Sequence, residues 1–288
     1  VTALDRYALR RLVREAGQTL ARAGVASPDV DARLLAEHLL GCPVLLADGA
    51  PEGFAPAYAE LVERRAAREP LQHILGVMWF RGLEFTCRPG VFIVRPETEV
   101  VAGAAVDAAR AVAAEQGRAP VVVDLCTGSG AIAVAVAAEV PTARVWAVEE
   151  DGAAVALARE NCERLAPGRV EIIRGDVTDP AVLAELDGSV DVVVANPPYV
   201  PAGAVEDLET ERHDPDLALY GGGADGLRLP LAVVERAAAL LRPGGVLVME
   251  HDPSQAVPLR AASREAGFGK ATTGADLTGR GRFLRAVR

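Results

Sequence analysis

Val121-Val122-Val123-Asp124-Leu125-Cys126-Thr127-Gly128-Ser129-Gly130 is an apolar run that passes abruptly into a Gly-rich turn. A continuous β-branched run of this length reads as a strand buried on both faces, and that is the habit of parallel sheets. Ala131 to Glu139 follows as a helix stopped before Pro141. Glycines at 128 and 130 allow a tight turn and the close approach of a ligand. The dinucleotide fingerprint G-x-G-x-x-G is not met, because Ala133 stands at its third glycine; this weakens a nicotinamide reading. Further along, Val145 to Val148 ends in Glu149, Val170 to Ile173 runs into Gly175-Asp176, and Val192 to Ala195 stops at Asn196-Pro197-Pro198-Tyr199. Strands alternating with helices imply a doubly wound α/β sheet, whose ligands bind beyond the carboxyl ends of the strands. All four runs carry polar groups there.

Proline removes the next backbone donor, so the run ending at Ala195 must stop and present Asn196 and Tyr199 at the sheet edge. The Asn196 side-chain carbonyl and the carbonyls of Pro197 and Pro198 put several acceptors beside one aromatic ring. Such a set suits a planar NH2 group. An amide or exocyclic amine is a poor nucleophile, and holding both N–H bonds with a ring against the plane can aim it at an electrophile. Methyl transfer is the chemistry this favours. Glu149, about 20 residues beyond the first glycine, stands where an acidic side chain meets a ribose diol in this architecture.

With Pro70-Leu71-Gln72-His73-Ile74-Leu75-Gly76, Phe80-Arg81-Gly82-Leu83, Arg95-Pro96-Glu97-Thr98-Glu99 and His213-Asp214-Pro215 added in order, the chain resembles the class I S-adenosylmethionine-dependent methyltransferases. Within them it resembles the HemK/PrmC group of protein-(glutamine-N5) methyltransferases. The resemblance implies a Rossmann-like seven-stranded sheet with a small N-terminal helical domain, S-adenosylmethionine as cofactor, and the glutamine of the Gly-Gly-Gln loop of peptide chain release factors as acceptor. It implies that Asp124, Cys126, Thr127, Gly128, Ser129, Gly130, Glu149, Asp176, Val177 and Asn196 bind the cofactor, with Asp176 and Val177 at the adenine. Asp124 either orders the Gly-rich turn or approaches the sulfonium. Asn196, Pro197, Pro198 and Tyr199 hold the acceptor, and Asn196, Pro197 and Tyr199 are the catalytic set. The chain departs from the family pattern at Val94, Cys126, Glu149, Val177 and Asp214. Arg95, Glu97 and Glu99 fit either catalysis or a salt bridge, and no histidine is assigned as a base.

With 288 residues, half of them hydrophobic, the chain can bury a large domain and a small one. No apolar run approaches the ~20 residues of a membrane span and the N-terminus lacks a signal-peptide core, so a cytoplasmic location without membrane partners is expected. Four scattered cysteines with no C-x-x-C pair argue against disulfides and metal. The net charge of -10, and nine arginines against ten acidic residues in 1–70, give no basic footprint for direct nucleic-acid binding. The competing readings are an adenine-N6 nucleic-acid methyltransferase, a ribosomal-protein glutamine methyltransferase, and an inactive cofactor-binding assembly or regulatory protein.

The expected organisation has three parts. Residues 1–70 form a helical bundle that docks the release factor, with Ser27-Pro28-Asp29 opening a helix that Gly41 stops. Residues 71–94 form a β-hairpin connector. Residues 95–288 form the methyltransferase domain, in which Gly221-Gly222-Gly223 reads as a mobile loop.

Overall fold

The four apolar runs pair as parallel strands, and three later segments complete one sheet. The computed structural model describes residues 3–204 and 207–288. Its large sheet contains β1 (Val121–Leu125), β2 (Arg144–Glu149), β3 (Val170–Arg174), β4 (Val190–Ala195), β5 (Leu241–Glu250), β6 (Lys270–Ala275) and β7 (Gly281–Val287). The spatial order is β6-β7-β5-β4-β1-β2-β3. The first five strands are parallel, and β7 and β6 add an antiparallel edge.

Alternation along the strands sorts the core into two layers. Val122, Val192 and Val194 pack with the helices Thr98–Gln116 and Ala131–Glu139. Val123, Val193 and Ala195 pack on the other face with Arg228–Leu240 and Ala256–Glu265. Each fully buried valine contributes about 1.5–3 kcal/mol, so β1 and β4 form a firm floor under whatever their ends carry. Strand order reverses at β1, which lies between β2 and β4, and a crevice opens at such a switch point. Arg242-Pro243-Gly244-Gly245 lies within β5 as a bulge: Val190 pairs with Leu241 and Val192 with Val246.

Among the described residues the chain divides into two compact units, one of 3–77 with 207–213 and the other of 78–204 with 214–288. The first holds the helices Arg6–Arg22, Pro28–Leu40 and Phe54–Ala66 around Leu9, Leu20, Leu35 and Tyr58. The Tyr58 hydroxyl is buried and donates to the Ala32 carbonyl at 2.8 Å. Ser27 makes no capping bond; Pro28 and Asp29 in the first turn start that helix, and Gly41, at φ 68°, ends it. Residues 71–75 are helical, and the hairpin is Val77–Phe80 with Leu83–Thr86. Its two-residue turn, Arg81-Gly82, has φ of 48° and 76°, the primed geometry that matches strand twist.

The return of 207–213 to the first unit has no signature in local sequence. It is held by ion pairs from two arginines of the Phe54–Ala66 helix region. Arg65, buried, meets Asp31 at 2.8 Å and Glu209 at 2.9 Å, and Arg68 meets Glu209 at 2.7 Å.

Candidate active site

The turn after β1 is built from backbone geometry that side chains resist. Cys126, Gly128 and Gly130 have φ of 61°, 57° and 84°, and a Cβ on Gly130 would press within 3.4 Å of Ala158 and of the Cys162 sulfur. Asp124 lies beneath this turn, fully buried. Its Oδ2 accepts from the Thr127 hydroxyl at 2.5 Å and from the Ala133 N–H at 3.1 Å. Burial pushes its carboxyl up to about 7 against those hydrogen bonds. Of the two roles expected for Asp124, the geometry shows the ordering of the turn. Asn161, also fully buried, donates to the Ser129 carbonyl at 3.0 Å and accepts from the Thr86 N–H at 2.8 Å, tying the turn to the hairpin.

At the end of β2 the Glu149 carboxylate accepts three backbone N–H groups, from Gly128 at 2.8 Å and from Glu150 and Asp151 at 3.0 Å each. Burial raises its pKa and these hydrogen bonds oppose the rise. The carboxylate therefore fixes the turn and forms part of a cleft. Cys126, Gly128, Glu149, Val177, Asn196 and Pro198 line that cleft. Phe92, Leu217 and Leu229 add apolar surface that the sequence reading did not assign. Among the described residues no Lys or Arg lines it.

The remaining expected residues are not on the lining. Thr127 and Ser129 are buried in the turn, Gly130 opens the helix Ala131–Glu139, and Asp176 accepts from the Thr178 N–H at 2.7 Å, shaping the loop that carries Val177. Pro197 and Tyr199 are not on the cleft lining. The Tyr199 hydroxyl donates to Glu250 Oε1 at 3.0 Å. Thr98 Oγ1 donates to Glu250 Oε2 at 2.8 Å and accepts from Asn196 Nδ2 at 3.3 Å. Thr98 and Glu250 are both fully buried, and sequence reading missed them as site residues. A signal existed for Glu250, since it ends an apolar strand just as Glu149 does.

Arg95, Glu97 and Glu99 have partners in this unit. Arg95 pairs with Asp214 and stacks over Phe92 at 5.2 Å. Glu97 lies 3.9 Å from Arg282, and Glu99 accepts from the Arg81 N–H at 3.0 Å. Within Gly221-Gly222-Gly223, Gly221 is packed against the chain that follows Tyr199, and Gly223 is exposed. Gly221 donates to the Val200 carbonyl at 3.1 Å, and a Cβ there would come within 1.9 Å of the Gly226 carbonyl oxygen. Gln255 closes the same region by donating to the carbonyls of Tyr199 and Asp225 at 2.8 and 2.9 Å.

The sheet order, the left-handed turn after β1 and the polar strand ends define a methyltransferase of the Rossmann-like class. Residues 83–212 match the methyltransferase small domain, and residues 11–76 match the PrmC N-terminal domain. Among solved structures, a T. thermophilus 16S rRNA N2 methyltransferase in complex with AdoMet and guanosine is 27% identical with a TM-score of 0.50, over 74% of this chain and 49% of that one. A Pyrococcus furiosus methyltransferase shares the fold, with a TM-score of 0.50 and 20% identity over 72% of this chain and 89% of that one. The release factor glutamine methyltransferase of Corynebacterium glutamicum is 47% identical over 285 residues, 96% of this chain and 98% of that protein. Those of Bifidobacterium longum and Streptomyces coelicolor are 43% and 47% identical, each over 96 and 95% of this chain and 98 and 96% of their own length respectively. The chain belongs to the release factor glutamine methyltransferase family.

Proposed function

We propose that this protein transfers a methyl group from S-adenosylmethionine to the side-chain amide nitrogen of the glutamine in the Gly-Gly-Gln loop of peptide chain release factors, in the cytoplasm where translation terminates. The observation that carries this reading is Asn196 at the end of β4, on the wall of a cleft that also holds Gly128 and Glu149. Its amide nitrogen is engaged by Thr98, so its carbonyl oxygen is the group left to accept an N–H.

The cleft fits the donor. Glu149 offers an ionised acceptor for two ribose hydroxyls, Val148, Val177 and Leu229 supply apolar surface for a purine, and a wall without Lys or Arg among the described residues suits a sulfonium cation. When bound, S-adenosylmethionine supplies an electrophilic methyl carbon. The protein's own work is alignment. Asn196 Oδ1, on the cleft wall, takes one N–H bond of the acceptor amide, and the Pro197 carbonyl and the Tyr199 ring, which lie off the lining of the cofactor cleft, are assigned the second N–H and the plane of the amide on the acceptor's side of Asn196. Held in that way, the amide nitrogen would be aimed at the methyl carbon, so that the N–C bond would form as the C–S bond of the donor breaks and the neutral thioether leaves, with the nitrogen's proton passing to water. No histidine is needed: His251 is buried with its Nδ1 2.8 Å from the Asp252 carbonyl oxygen. The helices of 1–70 are the surface for docking the intact release factor.

The test is incubation of the protein with labelled S-adenosylmethionine and separate release-factor, ribosomal-protein and DNA acceptors. Label is expected in the release factor and is lost when its Gly-Gly-Gln glutamine is replaced by alanine. Label in ribosomal protein or DNA, with none in the release factor, would assign the alternative acceptor.

A further inference from the structure

Behind Asn196 a hydrogen-bond chain crosses three separate elements. It runs from Asn196 at the end of β4 to Thr98 at the start of the helix Thr98–Gln116, then to Glu250 at the end of β5, and returns to Tyr199. We propose that Thr98 and Glu250 are positioning residues for the acceptor amide: as an acceptor-only carboxylate, Glu250 accepts the Thr98 O–H hydrogen bond, which leads Asn196 to turn its nitrogen inward and its carbonyl oxygen toward the substrate. This deepens the function proposed above and rests on Asn196 being the acceptor clamp.

The argument is one of proton accounting. A hydroxyl has one proton, and Thr98 donates it in a hydrogen bond to Glu250 Oε2, 2.8 Å away. The oxygen of Thr98 is then only an acceptor for Asn196, so the NH2 end of the amide must face it. Tyr199 occupies the other carboxylate oxygen at 3.0 Å. Protonation of Glu250 at Oε2 reverses the chain: the carboxyl O–H donates to Thr98, the Thr98 O–H seeks an acceptor, and Asn196 supplies one by turning its amide over. A donor then confronts the NH2 of the incoming glutamine.

The environment of Glu250 makes that reversal reachable. Burial pushes its carboxyl up to about 7, opposed by the hydrogen bonds of Thr98 and Tyr199, with Glu97 raising it and Arg282 lowering it. On its own strand end His251 follows it, and Phe283 is its partner on β7. Glu97 and Arg282 lie 3.9 Å apart, which softens the field each exerts on the carboxylate.

Single-turnover methylation of the release factor across pH 5.5 to 9, with S-adenosylmethionine affinity measured beside it, tests the proposal. The wild-type rate is expected to fall below about pH 7 while cofactor affinity stays level. Thr98→Val should lose roughly 10- to 100-fold in rate with unchanged cofactor affinity, by analogy with losing one positioned polar contact. Thr98→Ser, which restores the hydroxyl, should come within about threefold of wild type. Glu250→Gln, whose amide can satisfy the chain in either direction, should be slow and should lose the acid limb. A wild-type rate in Thr98→Val, or an unchanged acid limb in Glu250→Gln, would overturn the relay. So would a loss of cofactor affinity that accounts for the whole defect in Thr98→Val. Asn196→Ala separates the two levels: if it is inactive while Thr98→Val is normal, the clamp stands and the relay falls. If Asn196→Ala is itself normal, the clamp reading fails.

Discussion

The two halves of the cleft both rest on a carboxylate at a strand end, partly buried in one and fully buried in the other, and they hold it by different means. At the end of β2, Glu149 accepts three backbone N–H groups. At the end of β5, Glu250 accepts two side-chain hydroxyls. A backbone N–H cannot turn round and cannot accept, so the Glu149 half has one hydrogen-bond direction. A hydroxyl donates or accepts with equal ease, so the Glu250 half takes its direction from the charge of the carboxylate. The donor half is therefore a fixed cradle, and the acceptor half is an oriented chain.

The largest effect should come from breaking the acceptor half at its exposed end. Asn196→Ala deletes the acceptor that holds the reacting NH2, and about 10²- to 10³-fold loss in kcat is expected. Its affinity for S-adenosylmethionine, measured by calorimetry, should change far less. Equal losses in rate and affinity would show that the two halves are not separable.

Breaking the donor half should read out in binding. Glu149→Ala strands the N–H groups of Gly128, Glu150 and Asp151 and removes the proposed ribose acceptor, so cofactor affinity should weaken by about 1–3 kcal/mol. The same titration with NAD should show no binding in either protein. Tight NAD binding by the wild type would contradict the cofactor assignment.

A smaller effect, in stability, distinguishes the carboxylate of the acceptor half. The Glu250 carboxyl is raised from its ordinary 4.5 to about 7 by burial. Below the ordinary value both folded and unfolded chains hold the proton, and the group costs nothing. As pH rises from there to about 7 the unfolded chain ionises first, and stability falls. Glu250→Gln removes this cost, so its Tm relative to wild type should rise between pH 5 and 8, even as methylation slows. A variant less stable than wild type at pH 8 would show that the two accepted hydroxyls outweigh the burial of charge.

The smallest effect belongs to Cys126, a non-glycine residue with φ of 61° in the Gly-rich turn. Cys126→Gly relieves about 1–2 kcal/mol of left-handed strain and adds about 0.5–1 kcal/mol of unfolded-state freedom. Net stability in denaturant titration should move by less than about 1.5 kcal/mol. Full activity is expected, because burial holds the thiol well above its ordinary pKa and makes it a poor nucleophile.

What was legible in the sequence was what depends on neighbours in the chain. Val121–Leu125, Ala131–Glu139 and the end of β4 at Ala195 follow from apolar runs, the glycines and the two prolines. Asn196 was found because Pro197 must end a strand beside it. Tyr199 follows from the same strand end. The structure ties its hydroxyl to Glu250, 51 residues further on. Asp124, Thr127, Ser129 and Asp176, which the family resemblance places at the cofactor, are off the cleft lining: the first three are buried in the turn, with Asp124 Oδ2 held by the Thr127 hydroxyl and the Ala133 N–H, and the half-exposed Asp176 accepts from the Thr178 N–H.

The sequence by itself determined the parallel sheet, its Gly-rich turn and the polar ends of its strands, because periodicity and proline and glycine chemistry act over a few residues. Only the tertiary structure decided which polar ends face the cleft, that Thr98 meets Glu250 across 152 positions, and that 207–213 returns to Arg65 and Arg68. Such pairings depend on strand order and on burial. A buried polar group must find a partner wherever the fold brings one, and no local pattern records which residue that will be.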